Sequence, residues 1–200
     1  MKLGIGIPLG TEWIPALFWF SYENLIKPEG YKLFTVAGAL TPFAREKIVL
    51  RALEAECTHL CFIDSDMSFE PDALQRLIKS GEQFIVKKDI IAGLFFQRYD
   101  PYPPALSIND KQVIPSKLTE VDWVGMAFTL IDMNVFKKIP RPWFELDFNP
   151  KHIVSEDILF CIKAKKLGFK IWVDPEIHIG HLISVSIRKN QDNMLKIMRG

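Results

Sequence analysis

The stretch HLCFIDSDMSF, residues 59–69, decides how the rest of the chain is read. Leu60, Cys61, Phe62 and Ile63 make an apolar run of the kind that forms a buried strand, and two acids, Asp64 and Asp66, follow with only Ser65 between them. In open α/β sheets ligands bind at the carboxyl ends of strands, so the run predicts a crevice toward which both carboxylates turn. Two anions that close repel and raise a pKa unless a cation sits beside them. A divalent metal with oxygen ligands supplies that cation, and it also neutralises a diphosphate. A local reading competes, in which Asp66 or Ser68 caps a helix beginning near Pro71.

Strands and helices alternate on both sides of this stretch. Residues 2–7, KLGIGI, form a short apolar run closed by Pro8, and Thr11 caps a predicted helix over residues 12–26, ahead of Pro28 and Gly30. Residues 32–38, KLFTVAG, predict a second strand. Thr41 then stands as an N-cap with Pro42 at the first helical position, and Ile48, Leu50, Ala52 and Leu53 recur at near-helical spacing. After the acids come a helix from Pro71 to Ser80, stopped by Gly81, and a strand at residues 89–96.

Pro101, Pro103, Pro104 and Pro115 then favour loops or edge strands. VDWVGMAFTLID, residues 121–132, predicts one or two strands, and VFKKI, residues 135–139, a short helix. SEDILFCIKAKKLGF, residues 155–169, is an amphipathic helix with Ser155 as N-cap. KIWVD, residues 170–174, is a last strand, and PEIHIGHL, residues 175–182, a loop beyond it. The alternation argues for an α/β fold with a mostly parallel central sheet. No Ser/Gly linker divides the 200 residues, so residues 1–183 read as one domain and residues 184–200 as a tail forming a short basic helix.

Composition narrows the class. Hydrophobic residues make up 48% of the chain and aromatic residues 12%, enough for a folded core. Lys and Arg number 25 against 24 Asp and Glu, so nothing favours general binding of nucleic acid. WIPALFWF, residues 13–20, is far shorter than the roughly 20 residues a membrane span needs. Its side chains are expected to pack the first helix on the sheet, a membrane-surface contact being the alternative. The N-terminus MKLGIGIP has no signal-peptide apolar region, and a soluble cytoplasmic protein is expected. Cys57, Cys61 and Cys161 fit reduced core thiols, while Cys57, His59 and Cys61 leave a metal site as a competing reading.

Taken in order, the segments AREKIVLRALEAECTHLCFIDSDMSFEPDALQRLI, AGLFFQR, VDWVGMAFTLIDMNVF and SEDILFCIKAKKLGFKIWVDPEIHIGHL resemble the GT-A class of nucleotide-sugar glycosyltransferases, in particular family-2-like enzymes. The resemblance covers roughly residues 2–182. It implies a GT-A, Rossmann-like sheet flanked by helices, and a nucleotide-sugar donor, a UDP- or GDP-sugar above all. It further implies that Asp64 and Ser65 belong to the donor site, and that Asp66 and His181 bind a divalent metal, Mn²⁺ or Mg²⁺, with His178 as a rival ligand. Pro8 falls where the nucleotide base rests and Arg45 near the nucleotide. Trp123 and Gly125 match the acceptor-lining segment, and the acceptor is a carbohydrate or other hydroxyl compound. Asp157 is the implied general base if transfer inverts the anomeric carbon, retaining transfer needing none, with Glu156 orienting the acceptor or exchanging roles with it.

Each of these residues also has a plainer reading. Arg45 can be a solvated helix residue and Trp123 a core residue. Glu156 and Asp157 can merely favour the N-terminus of their helix, worth about 0.3–1 kcal/mol each. His181 can be satisfied by hydrogen bonds in a loop. At the level of function the rivals are a non-catalytic carbohydrate- or nucleotide-binding module and a sugar-phosphate nucleotidyltransferase. The latter needs a glycine-rich, arginine-bearing loop after the first strand, where IPLGTEW has one glycine and no arginine. Self-association is a further expectation.

Overall fold

A computed structural model describes residues 1–82, 88–149, 152–189 and 195–199. In chain order its elements are β1 (Leu3–Leu9), α1 (Ala16–Asn24), β2 (Lys32–Ala37), α2 (Thr41–Glu54), β3 (His59–Ile63), β4 (Met67–Phe69), α3 (Ala73–Glu82), β5 (Ile90–Leu94), β6 (Leu106–Ser107), β7 (Thr119–Glu120), β8 (Trp123–Val124), β9 (Phe128–Asp132), α4 (Met133–Lys138), β10 (Asp147–Asn149), β11 (His152–Val154), α5 (Glu156–Lys166), β12 (Ile171–His181), β13 (Val185–Lys189) and β14 (Leu195–Arg199). The central sheet orders its strands β2-β1-β3-β9-β5-β12-β4, with β7 added to β12. β2, β1, β3, β5 and β12 run in one direction, and β9, β4 and β7 run against them. The sheet is thus mostly parallel, with the antiparallel β9 inserted at its centre.

β3 shows why the apolar run belongs in the middle of this sheet. Successive side chains on a strand point to opposite faces. Leu60 and Phe62 join one buried cluster, with α2, α4 and α5, while Cys61 and Ile63 join the other, with α1 and α3. A strand covered on both faces needs apolar residues at consecutive positions. β1 meets the same demand differently, alternating Leu3, Ile5 and Ile7 with Gly4 and Gly6. A Cβ at Gly6 would stand 2.6 Å from Ile48 Cγ2, so glycine lets α2 lie directly on the strand. α2 returns Ala44, Ile48, Val49 and Ala52 to that contact at helical spacing. Phe62, Phe128, Phe136 and Phe160 are fully buried, each favouring the fold by about 1.5–3 kcal/mol over an exposed position.

The structure departs from the sequence-based expectation at five places. α1 is shorter, because Pro15 occupies its N-cap and the Thr11 hydroxyl donates to the Trp13 carbonyl instead of capping. It buries only Phe18 and Tyr22, one helical turn apart, and Trp13 is 84% exposed and Leu17 61%. Of WIPALFWF only Phe18 is buried, so the expectation that the segment packs on the sheet holds for that residue alone. Leu40, and not Thr41, is the N-cap of α2, and Gly81 lies inside α3. PEIHIGH is no loop: β4 pairs with Ile179, Gly180 and His181 and holds that stretch extended as the end of β12. In the tail, β13 and β14 pair antiparallel where a short helix was expected, in keeping with the period-two alternation of Val185 and Ile187 with Ser186 and Arg188.

The cysteines are buried and free. Burial pushes the Cys161 thiol up to about 12, and it also raises Cys57 and Cys61, as expected of core thiols. Among the described residues no group of three or more His, Cys, Asp or Glu side chains could hold a metal ion, so the Cys57–His59–Cys61 reading has no support. Among the described residues no helix is long and apolar enough to cross a membrane.

Candidate functional site

The crevice opens where β3 ends. The backbone N–H of Asp64 donates to the Ala127 carbonyl at 2.9 Å, which closes the strand against the turn entering β9. Arg45 reaches the Asp64 carboxylate from α2, its Nη2 donating to Oδ1 and Oδ2 at 2.9 Å each. Nη1 of the same guanidinium donates to Glu156 Oε1 at the start of α5. Arg45 is 3% exposed. A buried charge is tolerated only when paired in good geometry, and here one cation answers two carboxylates. Burial by itself lowers the Arg45 pKa, but Asp64 and Glu156 outweigh it and hold the group above its ordinary value. Burial raises the Glu156 carboxyl above its ordinary value, with Asp157 and Asp64 adding to the rise and Arg45 opposing it.

Asp66 turns the other way. Arg98 Nη1 lies 3.0 Å from its Oδ2, and His181 Nε2 lies 3.3 Å from the same oxygen. Burial alone raises the Asp66 pKa, yet the hydrogen bond and charge of His181, followed by Arg98, bring it below its ordinary value. His181 Nδ1 stands 2.7 Å from the Phe96 carbonyl oxygen, which can only accept, so Nδ1 carries the proton. In the neutral ring Nε2 then presents a lone pair to a carboxylate oxygen. Two acceptors face to face call for a cation: a proton on the ring, the Arg98 guanidinium, or a metal ion. A fixed Nδ1–H donor is also what orients a ligating imidazole. Asp66 and His181 are the side chains at this corner that could hold a metal ion, and among the described residues no third His, Cys, Asp or Glu joins them. His178 lies on the exposed side of β12, facing away from Asp66.

Asp157 occupies the first turn of α5 with its two oxygens in different settings. Oδ1 accepts from the Ser155 hydroxyl and from the Ile158 backbone N–H at 2.8 Å. Ser155 is at the N-cap as expected, but its hydroxyl serves Asp157 and not the helix backbone. Oδ2 faces Gly125, where a Cβ would stand 3.4 Å from that oxygen and 2.8 Å from Phe95 Cζ. Glycine at 125 thus keeps the approach to Asp157 open.

Two cavities meet at these acids. One, of about 550 Å³, is lined by Asp64, Asp66, Trp123, Gly125, Asp157 and His181, with Tyr99 and Met126 among its apolar walls. The other, of about 450 Å³, is lined by Pro8, Thr11, Trp13, Asp64, Ser65 and Asp66. Asp64, Asp66 and Arg98 line both. The structure thus gathers Pro8, Asp64, Ser65, Asp66, Trp123, Gly125, Asp157 and His181 around one crevice. Arg45 and Glu156 line neither cavity, since each is turned toward the other behind Asp64. Sequence reasoning passed over Arg98; its one signal was an arginine just beyond the apolar run of β5.

No family model matches the chain, and no curated protein matches it in sequence. Its structure is similar to that of A197 from STIV, with a TM-score of 0.70 and 20% identity, the match covering 98% of this chain and 93% of that one. It is also similar to residues 1–349 of S. aureus TarS, solved in complex with UDP-GlcNAc, with a TM-score of 0.55, 14% identity and 91% of this chain covered. The chain spans 58% of that TarS chain. The mostly parallel sheet flanked by helices is similar to a glycosyltransferase fold.

Proposed function

We propose that this chain is a glycosyltransferase that moves a sugar from a nucleotide-diphosphate donor to an acceptor hydroxyl. The observation that carries the reading is the meeting of two cavities at Asp64 and Asp66, with Asp157 lining one of them and its Oδ2 beside Gly125. In this reading Pro8, Ser65 and Asp64 hold the donor, whose nucleotide lies in the cavity beside β1. Trp123 offers an aromatic face to a sugar ring, and Gly125 admits the acceptor to Asp157. Asp66 and His181 would hold a divalent cation, Mn²⁺ or Mg²⁺, which when bound neutralises charge on the leaving diphosphate. Arg98, beside the same acid, adds a fixed positive charge to that side of the crevice.

Asp157 Oδ2 takes the proton of the acceptor hydroxyl as the acceptor oxygen bonds to the anomeric carbon. The bond from that carbon to the diphosphate oxygen breaks, and its electron pair leaves with the nucleoside diphosphate. Glu156 takes no part in this exchange, because Arg45 holds its carboxylate behind Asp64. The Asp157→Asn variant tests the assignment. With UDP-GlcNAc as the first donor tried and a panel of hydroxyl acceptors, its transfer rate falls by about 10²–10⁴-fold while UDP still binds. Unchanged transfer removes Asp157 from the mechanism, and donor binding without transfer by either protein favours a binding module.

A further inference from the structure

We propose that Arg45 is a positioning residue that joins the donor side of the crevice to the base-bearing helix, and makes no contact with the nucleotide. The role rests on the transferase reading of the site. Arg45 lies on α2, Asp64 directly follows β3 and Glu156 begins α5, so one guanidinium ties together segments that are 19 and 111 residues away in sequence. Both of its terminal nitrogens are engaged, Nη2 bridging both oxygens of Asp64 and Nη1 taking Glu156, while Nε is buried with no hydrogen-bond partner among the described residues. The side chain is buried at 3% exposure, lies with its guanidinium carbon 5.8 Å from the centre of the Phe62 ring, and lines neither cavity. A nucleotide would have to displace Asp64 or Glu156 to reach it.

The consequence for the site is a division of labour between neighbouring acids. The charged groups facing Arg45 are Asp64, just beyond β3, and Glu156 and Asp157 from α5. With the guanidinium in place, Asp64 and Glu156 are committed to it, and Asp157, one residue on, lines the larger cavity with Oδ2 on the side of Gly125. Without it, three carboxylates share a half-buried corner with no cation among them. They relieve the repulsion by taking up protons or by moving apart, and either response displaces the first turn of α5. Lysine cannot replace the fork, since a single ammonium does not span two carboxylates in that fixed planar geometry.

The test uses the full chain, ¹³C-labelled, as wild type, Arg45→Ala and Arg45→Lys. The Glu156 side-chain carboxyl is titrated by NMR, and UDP binding with Mn²⁺ is measured by calorimetry. The expected result is a Glu156 titration displaced to higher pH in Arg45→Ala, displaced less in Arg45→Lys, and restored toward wild type when millimolar methylguanidinium is added to Arg45→Ala. UDP affinity is expected to fall about tenfold or more in Arg45→Ala and to recover with the same additive. If Arg45→Ala does not fold, Arg45→Lys decides by the same titration. A Glu156 titration that coincides in wild type and variant overturns the proposal, and a loss of UDP affinity alongside it returns Arg45 to the nucleotide site. Wild-type protein that binds no UDP undermines the transferase reading alone, because the Glu156 titration still reports on the coupling.

Discussion

The site contains two pairs of neighbouring acids, and each pair is divided in the same way. Asp64 is locked by the buried Arg45, whereas Asp66 meets Arg98, whose side chain is 56% exposed, and His181. Glu156 turns inward to Arg45, whereas Asp157 lines the larger cavity. In each pair one acid is fixed by the buried Arg45 and the other is not, and Asp64 lines the crevice from that fixed position. Acids one or two positions apart in sequence thus differ in whether the buried Arg45 holds them.

Removing the cations sharpens the contrast most. Arg45→Ala leaves two carboxylates without their buried partner, a change that costs about 3–5 kcal/mol, and urea unfolding should report a loss of that size. Arg98→Ala breaks an exposed pair, for which about 0–1 kcal/mol is expected. Similar losses for both variants would break the distinction between the acids that the buried Arg45 holds and those it does not. Gly125→Ala comes next in size: its methyl meets Phe95 and narrows the approach to Asp157, and overpacking of this kind costs about 1–3 kcal/mol. Its transfer rate should fall further than its stability, and an active variant would place the acceptor elsewhere.

The smallest effect is one of pH. The folded-state pKa of Asp66 is depressed below its ordinary value of 3.8, so its contribution is present above that pH and is lost as pH falls through the lower folded value. Glu156 has the opposite sign: its folded pKa is raised above 4.5, so its contribution is present below 4.5 and is lost as pH rises through the folded value. The stability gap between wild type and Asp66→Asn, followed by urea midpoints from pH 6 downward, should therefore close below pH 3.8. A gap that widens on acidification would contradict the pairing of Asp66 with His181 and Arg98.

Much of the frame was legible in the sequence because its signals are local. The apolar run of β3, the Leu-Gly-Ile-Gly-Ile alternation of β1 and the Thr41-Pro42 start of α2 each fix an element without reference to distant residues. The crevice acids were legible for the same reason, as charges placed directly after a buried strand. What escaped depends on tertiary pairing. β12 extends through His181 only because β4 supplies a partner, and nothing in PEIHIGH announces that partner. Arg45 gave no sign of which way it points, since a helix arginine faces water or core according to what packs beside it. The apolar character of α1 suggested burial on the sheet, but a helix of nine residues presents Phe18 and Tyr22 inward and leaves Leu17 and Phe20 outside.

The central claim is that the crevice at Asp64 and Asp66 takes the nucleotide diphosphate of a sugar donor. Thermal unfolding of the whole chain against UDP, GDP, CMP and dTDP, each with Mn²⁺, with Mg²⁺ or with EDTA, tests it most directly. At 100 times its dissociation constant a ligand stabilises the folded state by about 2.7 kcal/mol. A shift produced by one nucleoside diphosphate with metal, and lost both in EDTA and in the Asp66→Asn variant, is the predicted result. Transitions that coincide for every nucleotide and metal would contradict the donor site and the transferase reading built on it.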